Sequence, residues 1–97
     1  MTIEVTDEAV EVLRRSLELG NVDATRGGVR LRGARGLGGG MDIQVELADA
    51  ALEEERVIEL KGVRIFVDPE VTKAIPNAVV AVEPQHEVVV VRPADRG

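Results

Sequence analysis

Cysteine is absent from this 97-residue chain. Thiol redox chemistry, cysteine-ligated metals and thiolate-held clusters therefore go, as does a disulfide-stapled secreted scaffold. Tryptophan and tyrosine are absent as well, and Phe66 is the only aromatic residue. That removes base-stacking platforms and cation–π cages. No stretch approaches the eighteen apolar residues that a membrane span needs, and the N-terminus is acidic with no apolar export core, so a cytoplasmic protein is expected. Positive charge is also short: twelve basic against eighteen acidic residues leave a net charge of −6, the wrong sign for a non-specific nucleic-acid binder.

What is present is mostly valine. Seventeen valines stand beside eight leucines and five isoleucines. A β-branched composition of this kind suits pleated, half-buried surfaces. The length supports one core, so a single domain over 1–97 is expected.

Along the chain, Thr2 to Val5 alternates and reads as a short strand. Thr6 is placed to cap a helix over 7–19, with Asp7 and Glu8 in its first turn and Val10, Leu13 and Leu17 on one apolar stripe. Gly28 to Arg32 alternates as a strand, and Met41 to Leu47 does so over seven residues. The acidic stretch from Asp49 to Glu55 has the composition of one or two helical turns. Val57–Leu60 and Val63–Val67 flank Lys61-Gly62, a tight hairpin. Asp68-Pro69 opens a short helix toward Ile75, and Pro76-Asn77 turns the chain. The runs 78–82 and 88–91 read as two buried strands, with Glu87, Arg92 and Pro93 guarding the second against edge aggregation. The short connections favour antiparallel pairing. The expected fold is mainly β (α+β): a β-sandwich or pseudo-barrel of mostly antiparallel strands with an N-terminal helix and a short second helix.

Between Arg32 and Met41 lie five glycines in eight residues, Gly33 to Gly40. Glycines let backbone N–H groups approach an anion, and Arg32 and Arg35 add charge, so Gly36, Gly38, Gly39 and Gly40 with these arginines form a candidate small-anion or partner-binding loop. The loop leads into a strand and lacks the Gly-Lys-Ser/Thr ending of a nucleotide loop. His86, the only histidine, lies in a turn, and Ser16, the only serine, lies on the helix away from any nucleophile context. Asp42, Gln44 and Glu46 share the polar face of one strand; Asp42, Glu46 and Asp49 are the residues a hard cation such as Mg²⁺ would use. No catalytic residue is indicated.

The order of elements resembles the HesB-like, or IscA-like, A-type iron–sulfur cluster carrier family over residues 2–93. The resemblance rests on Ile3-Glu4-Val5-Thr6-Asp7-Glu8-Ala9-Val10, on Gly28-Val29-Arg30-Leu31, on Gln44-Val45-Glu46-Leu47-Ala48-Asp49 and on Gly62-Val63-Arg64-Ile65-Phe66-Val67-Asp68. It implies the carrier fold. Members hold iron or a cluster with three thiolates, one in the glycine loop and two near the C-terminus. The loop position falls here on Gly38, and the chain ends Val91-Arg92-Pro93-Ala94-Asp95-Arg96-Gly97 without the terminal pair. The resemblance thus implies the fold, while the missing thiols argue against the family's activity; the expectation is a divergent, non-enzymatic member without cofactor, acting through a protein partner or self-association. The alternative is a small-anion or metabolite-binding domain using loop 33–40 with Arg32 and Arg35.

Overall fold

A computed structural model describes residues 2–23, 25–35 and 41–94, with the backbone alone at 34, 35, 41 and 42. The chain runs β1 (Thr2–Val5), α1 (Asp7–Leu19), β2 (Gly28–Arg35), β3 (Met41–Ala48), β4 (Arg56–Leu60), β5 (Val63–Val67), α2 (Pro69–Ala74), β6 (Asn77–Glu83) and β7 (Val88–Pro93). Helix α1 spans the residues its apolar stripe marks out. Its N-cap is Thr6, whose hydroxyl accepts the Ala9 N–H at 3.2 Å. Asp68 caps α2 by accepting from the Glu70 N–H at 2.8 Å, with Pro69 in the first turn.

The strands form two mixed sheets, ordered β1-β6-β7 and β3-β2-β5-β4, with no closed barrel. Pairs β2–β3, β4–β5 and β6–β7 are antiparallel. Lys61 and Gly62 make the β4–β5 turn with φ of 51° and 82°, the positive values that a two-residue hairpin turn requires. The preference for antiparallel neighbours is incomplete, because β1 pairs with β6 and β2 with β5 in parallel. Both parallel pairs are closed by long excursions of chain rather than by single crossovers, and sequence periodicity carries no sign of them.

The facing surfaces of the sheets and α1 share one core. Val29, Leu31, Val63, Ile65 and Val67 come from the larger sheet, Val5 and Val80 from the smaller, and Ala9, Val10 and Leu13 from α1. Gly28 is needed where it stands, since a Cβ there would lie 2.3 Å from the Arg64 carbonyl oxygen on β5.

Three local expectations are corrected. Residues 49–55 form bends and a turn, not helix: the Glu55 N–H bonds the Leu52 carbonyl at 3.0 Å, while the Glu55 carboxylate accepts the Leu52 N–H at 2.8 Å. A side chain that captures nearby backbone donors competes with helical pairing. Strand β7 is only half-buried, with Val88 50% exposed, because it is an edge strand packed on one face. Asn77 begins β6 instead of turning the chain, and its neighbour Pro76 accepts the Thr2 N–H at 3.0 Å.

Candidate functional site

The candidate loop joins β2 to β3, so its flanks can be built from those strands. Arg32 lies on β2 opposite Gln44, and its guanidinium, 59% exposed, lies 3.7 Å from Glu46. Arg35 ends β2 opposite Met41. The side chain of Arg35 and the whole of Gly36, Gly38, Gly39 and Gly40 lie outside the described residues. Of the candidate residues, the described structure thus places the Arg32 side chain alone, and places it against an acid.

Glu46 also lies 3.9 Å from Arg30, so the carboxylate expected to serve a hard cation faces two guanidinium groups instead. Asp42 occupies its strand position opposite Ala34, with its side chain outside the described residues. Asp49 is exposed beyond the end of β3. Among the described residues no group of three or more histidine, aspartate or glutamate side chains is placed to hold a metal.

His86 lies exposed in the β6–β7 turn, its Nδ1 at 2.6 Å from Glu83. Backbone N–H groups of Gln85 and then the His86 side chain hold the Glu83 carboxyl below the ordinary carboxylate range. This is a turn-stabilising arrangement, since the same carboxylate accepts the N–H groups of Gln85 and His86.

The strongest electrostatic feature escaped the sequence. Glu55 is the buried charged residue of the described chain, with its side chain fully enclosed. Arg30 donates Nε to it at 2.6 Å and Nη2 at 3.2 Å, a two-pronged pair, and Nη2 also reaches the Ala50 carbonyl at 3.0 Å. Burial pushes the Glu55 carboxyl up, but the Arg30 hydrogen bonds, the Leu52 N–H and the Arg30 charge outweigh it, so the group lies below its ordinary value. Arg30 alternates with core residues Val29 and Leu31, which turns it to the outer face of the larger sheet. Its cross-strand neighbour on β5 is Phe66, fully buried and outside the core cluster. The pair therefore straps the 49–55 segment across the outer face of the sheet beside Phe66. In the sequence Glu55 stands in a run of three glutamates, which conceals it.

Neither of two clefts beside α1 gathers chemistry. The one between the end of α1 and the β4–β5 hairpin, about 190 Å³, contains Arg64, Glu59 and Asp23. Arg64 donates to Glu59 and to the Gly27 carbonyl, and Asp23 accepts from Thr25. The groove of about 530 Å³ between α1 and the β6–β7 hairpin has Glu8, Glu11, Arg15 and Val82 on its walls. No buried side-chain nitrogen or oxygen among the described residues lacks a partner.

No protein-family model and no curated protein matches the sequence. Solved structures do match. The chain is similar to IscA with a 2Fe–2S cluster, at 16% identity over 98% of this chain and 86% of that one, with a TM-score of 0.77. It is similar to Escherichia coli SufA, involved in biosynthesis of iron–sulfur clusters, at 15% identity over 94% and 77% of the two chains, TM-score 0.73. A protein from Aquifex aeolicus matches at 23% identity over 97% and 93%, TM-score 0.73. The carrier fold implied by the sequence resemblance is thereby borne out, on a chain with no cysteine.

Proposed function

We propose that this chain is a non-enzymatic, cytoplasmic protein that uses the carrier fold without carrying a cluster, and that it acts by binding a protein partner or a second copy of itself. One observation carries the reading. The fold of SufA and IscA covers at least 94% of the chain, yet the chain has no thiol. Iron–sulfur clusters are held chiefly by thiolates. Its buried charged pair among the described residues, Arg30–Glu55, is held by internal hydrogen bonds and serves the fold.

Anaerobic reconstitution with iron and sulfide tests the first half. The protein should stay colourless, and its thermal midpoint should not move with chelator, since no metal contributes folding energy. A stoichiometric charge-transfer band that survives desalting would overturn the reading. The second half is tested by immobilising the protein and passing its native extract over it. Retention of one protein in stoichiometric amount, or self-association, supports it; neither would sink it. The small-anion alternative draws on the exposed Arg32 guanidinium, for which Glu46 competes. Titration with inorganic phosphate decides it, through saturable shifts of the Arg32 and Arg35 signals.

A further inference from the structure

Helix α1 and the β6–β7 hairpin face each other across the groove of about 530 Å³, a size that bound ligands and peptide side chains fill. Val12 and Val82, both partly buried, and Pro84 give it an apolar lining. Its charged residues are Glu8, Glu11 and Arg15 on α1 and Glu87 in the hairpin turn, all four exposed. None of the four makes an ion pair among the described residues, whereas Glu46, Glu55 and Glu59 each face an arginine. Three carboxylates against one guanidinium leave the lining negative.

The spread of these charges limits what they suit. Among the described residues no group of three acids is placed to share one metal ion. Glu8, Glu11 and Arg15 follow one another at helical spacing along one side of α1, a row about 10 Å long. About three residues of extended chain cover that distance. Separate carboxylates beside an apolar lining therefore fit a chain whose basic side chains flank an apolar one. Arg15 ends the row with the opposite sign, so the basic side chains belong toward the start of the helix.

Resting on the reading of the protein as a binding module, we propose that this groove docks a short basic segment of a different protein. An apolar side chain of that segment lies against Val12 and Val82, and its lysines or arginines pair with Glu8, Glu11 and Glu87. Exposed carboxylates without a partner need break no internal bond to make those pairs. Rim charges of this kind speed encounter more than they tighten the complex, so the apolar contact supplies the rest. The net charge of −6 draws in the same class of partner and repels an acidic one. An isolated peptide binds weakly, with a dissociation constant on the order of 0.1–1 mM that rises with salt.

Titration with the capped pentapeptide Lys-Lys-Leu-Lys-Lys, followed through the backbone amide signals, is the test. Saturable shifts should centre on Val12, Val82 and Glu87, and Glu-Glu-Leu-Glu-Glu should produce none. Glycine in place of the central leucine should weaken binding about fivefold or more, because the apolar contact goes. E8K/E11K should weaken it by about tenfold or more, since like charges then face each other. Glu87→Lys repeats that reversal from the opposite wall. E53K/E54K makes the same change of charge on the segment that crosses the larger sheet and should cost less than about threefold. Circular dichroism checks that each variant is folded. Shifts scattered over the whole acidic surface, an equal loss in E53K/E54K, or equal binding of the leucine-free peptide would each overturn the proposal. A protein retained from the native extract as well by E8K/E11K as by the unaltered chain overturns this groove alone and leaves the binding reading intact. A bound cluster overturns that reading whatever the peptide does.

Discussion

At Glu55, two effects of opposite sign act on one carboxyl. Enclosure favours the neutral form; the Arg30 fork and the Leu52 N–H favour the charged form and win. A carboxyl whose pKa is lower folded than unfolded adds stability that is fully present above its unfolded value, near 4.3, and is lost as pH falls through its folded value. The urea midpoint should therefore fall as the solution is acidified below about pH 4.5, and Glu55→Gln should flatten that dependence. Glu55→Ala leaves Arg30, only 16% exposed, without its partner and should cost about 3–5 kcal/mol. Replacing both, as Arg30→Met with Glu55→Leu, should recover most of that loss. Gly28 tests the tightest backbone approach. Alanine there brings a methyl to within 2.3 Å of a backbone oxygen that cannot swing aside, so Gly28→Ala should cost about 1–3 kcal/mol by chemical denaturation. A loss under a few tenths of a kcal/mol would show that β2 and β5 separate more easily than their register implies.

Among the elements, those encoded by short-range pattern were legible. Thr6, two acids and an apolar stripe define α1, and Lys61-Gly62 defines the β4–β5 hairpin. Lys61 does more than turn the chain. Its ammonium reaches the Val5 carbonyl at 3.2 Å and the Asp7 carboxylate at 2.6 Å, tying the hairpin tip to the junction of β1 and α1. Residues 49–55 were misread because Ala-Ala-Leu-Glu-Glu-Glu has strong helical propensity, while the partner that bends the segment, Arg30, lies twenty-five residues away. Tertiary hydrogen bonding overrode the local preference. The valine run of β7 was misread as buried because runs of this kind do not reveal whether one face or two is covered. The candidate site was legible only as composition: five glycines and two arginines name a loop, but the position of Glu46 beside Arg32 follows from the β2–β3 register.

Over the whole molecule, the smaller sheet depends on contacts between distant parts of the chain. Thr2 pairs with Asn77 and Val5 with Val80, so β1 is laid against a strand some seventy-five residues away. Such pairing closes late and slowly, because the entropy of a long loop must be spent before the contact forms. The four residues of β1 also supply Val5 to the core, the carbonyl that Lys61 binds, and the lead-in to α1, where the Thr6 N–H bonds Val80 at 3.0 Å. Removing residues 1–5 should therefore weaken far more than one edge. The buried side of β6 would lose its parallel neighbour, and α1 would lose the strand that fixes its start. Amide exchange should show protection falling in β6 and β7 together with the start of α1, and urea unfolding should lose its steep single transition. If the truncated chain kept a cooperative transition and protected amides across β6, the smaller sheet would stand on the β6–β7 hairpin alone. β1 would then be an appendage to the fold instead of the strand that closes it.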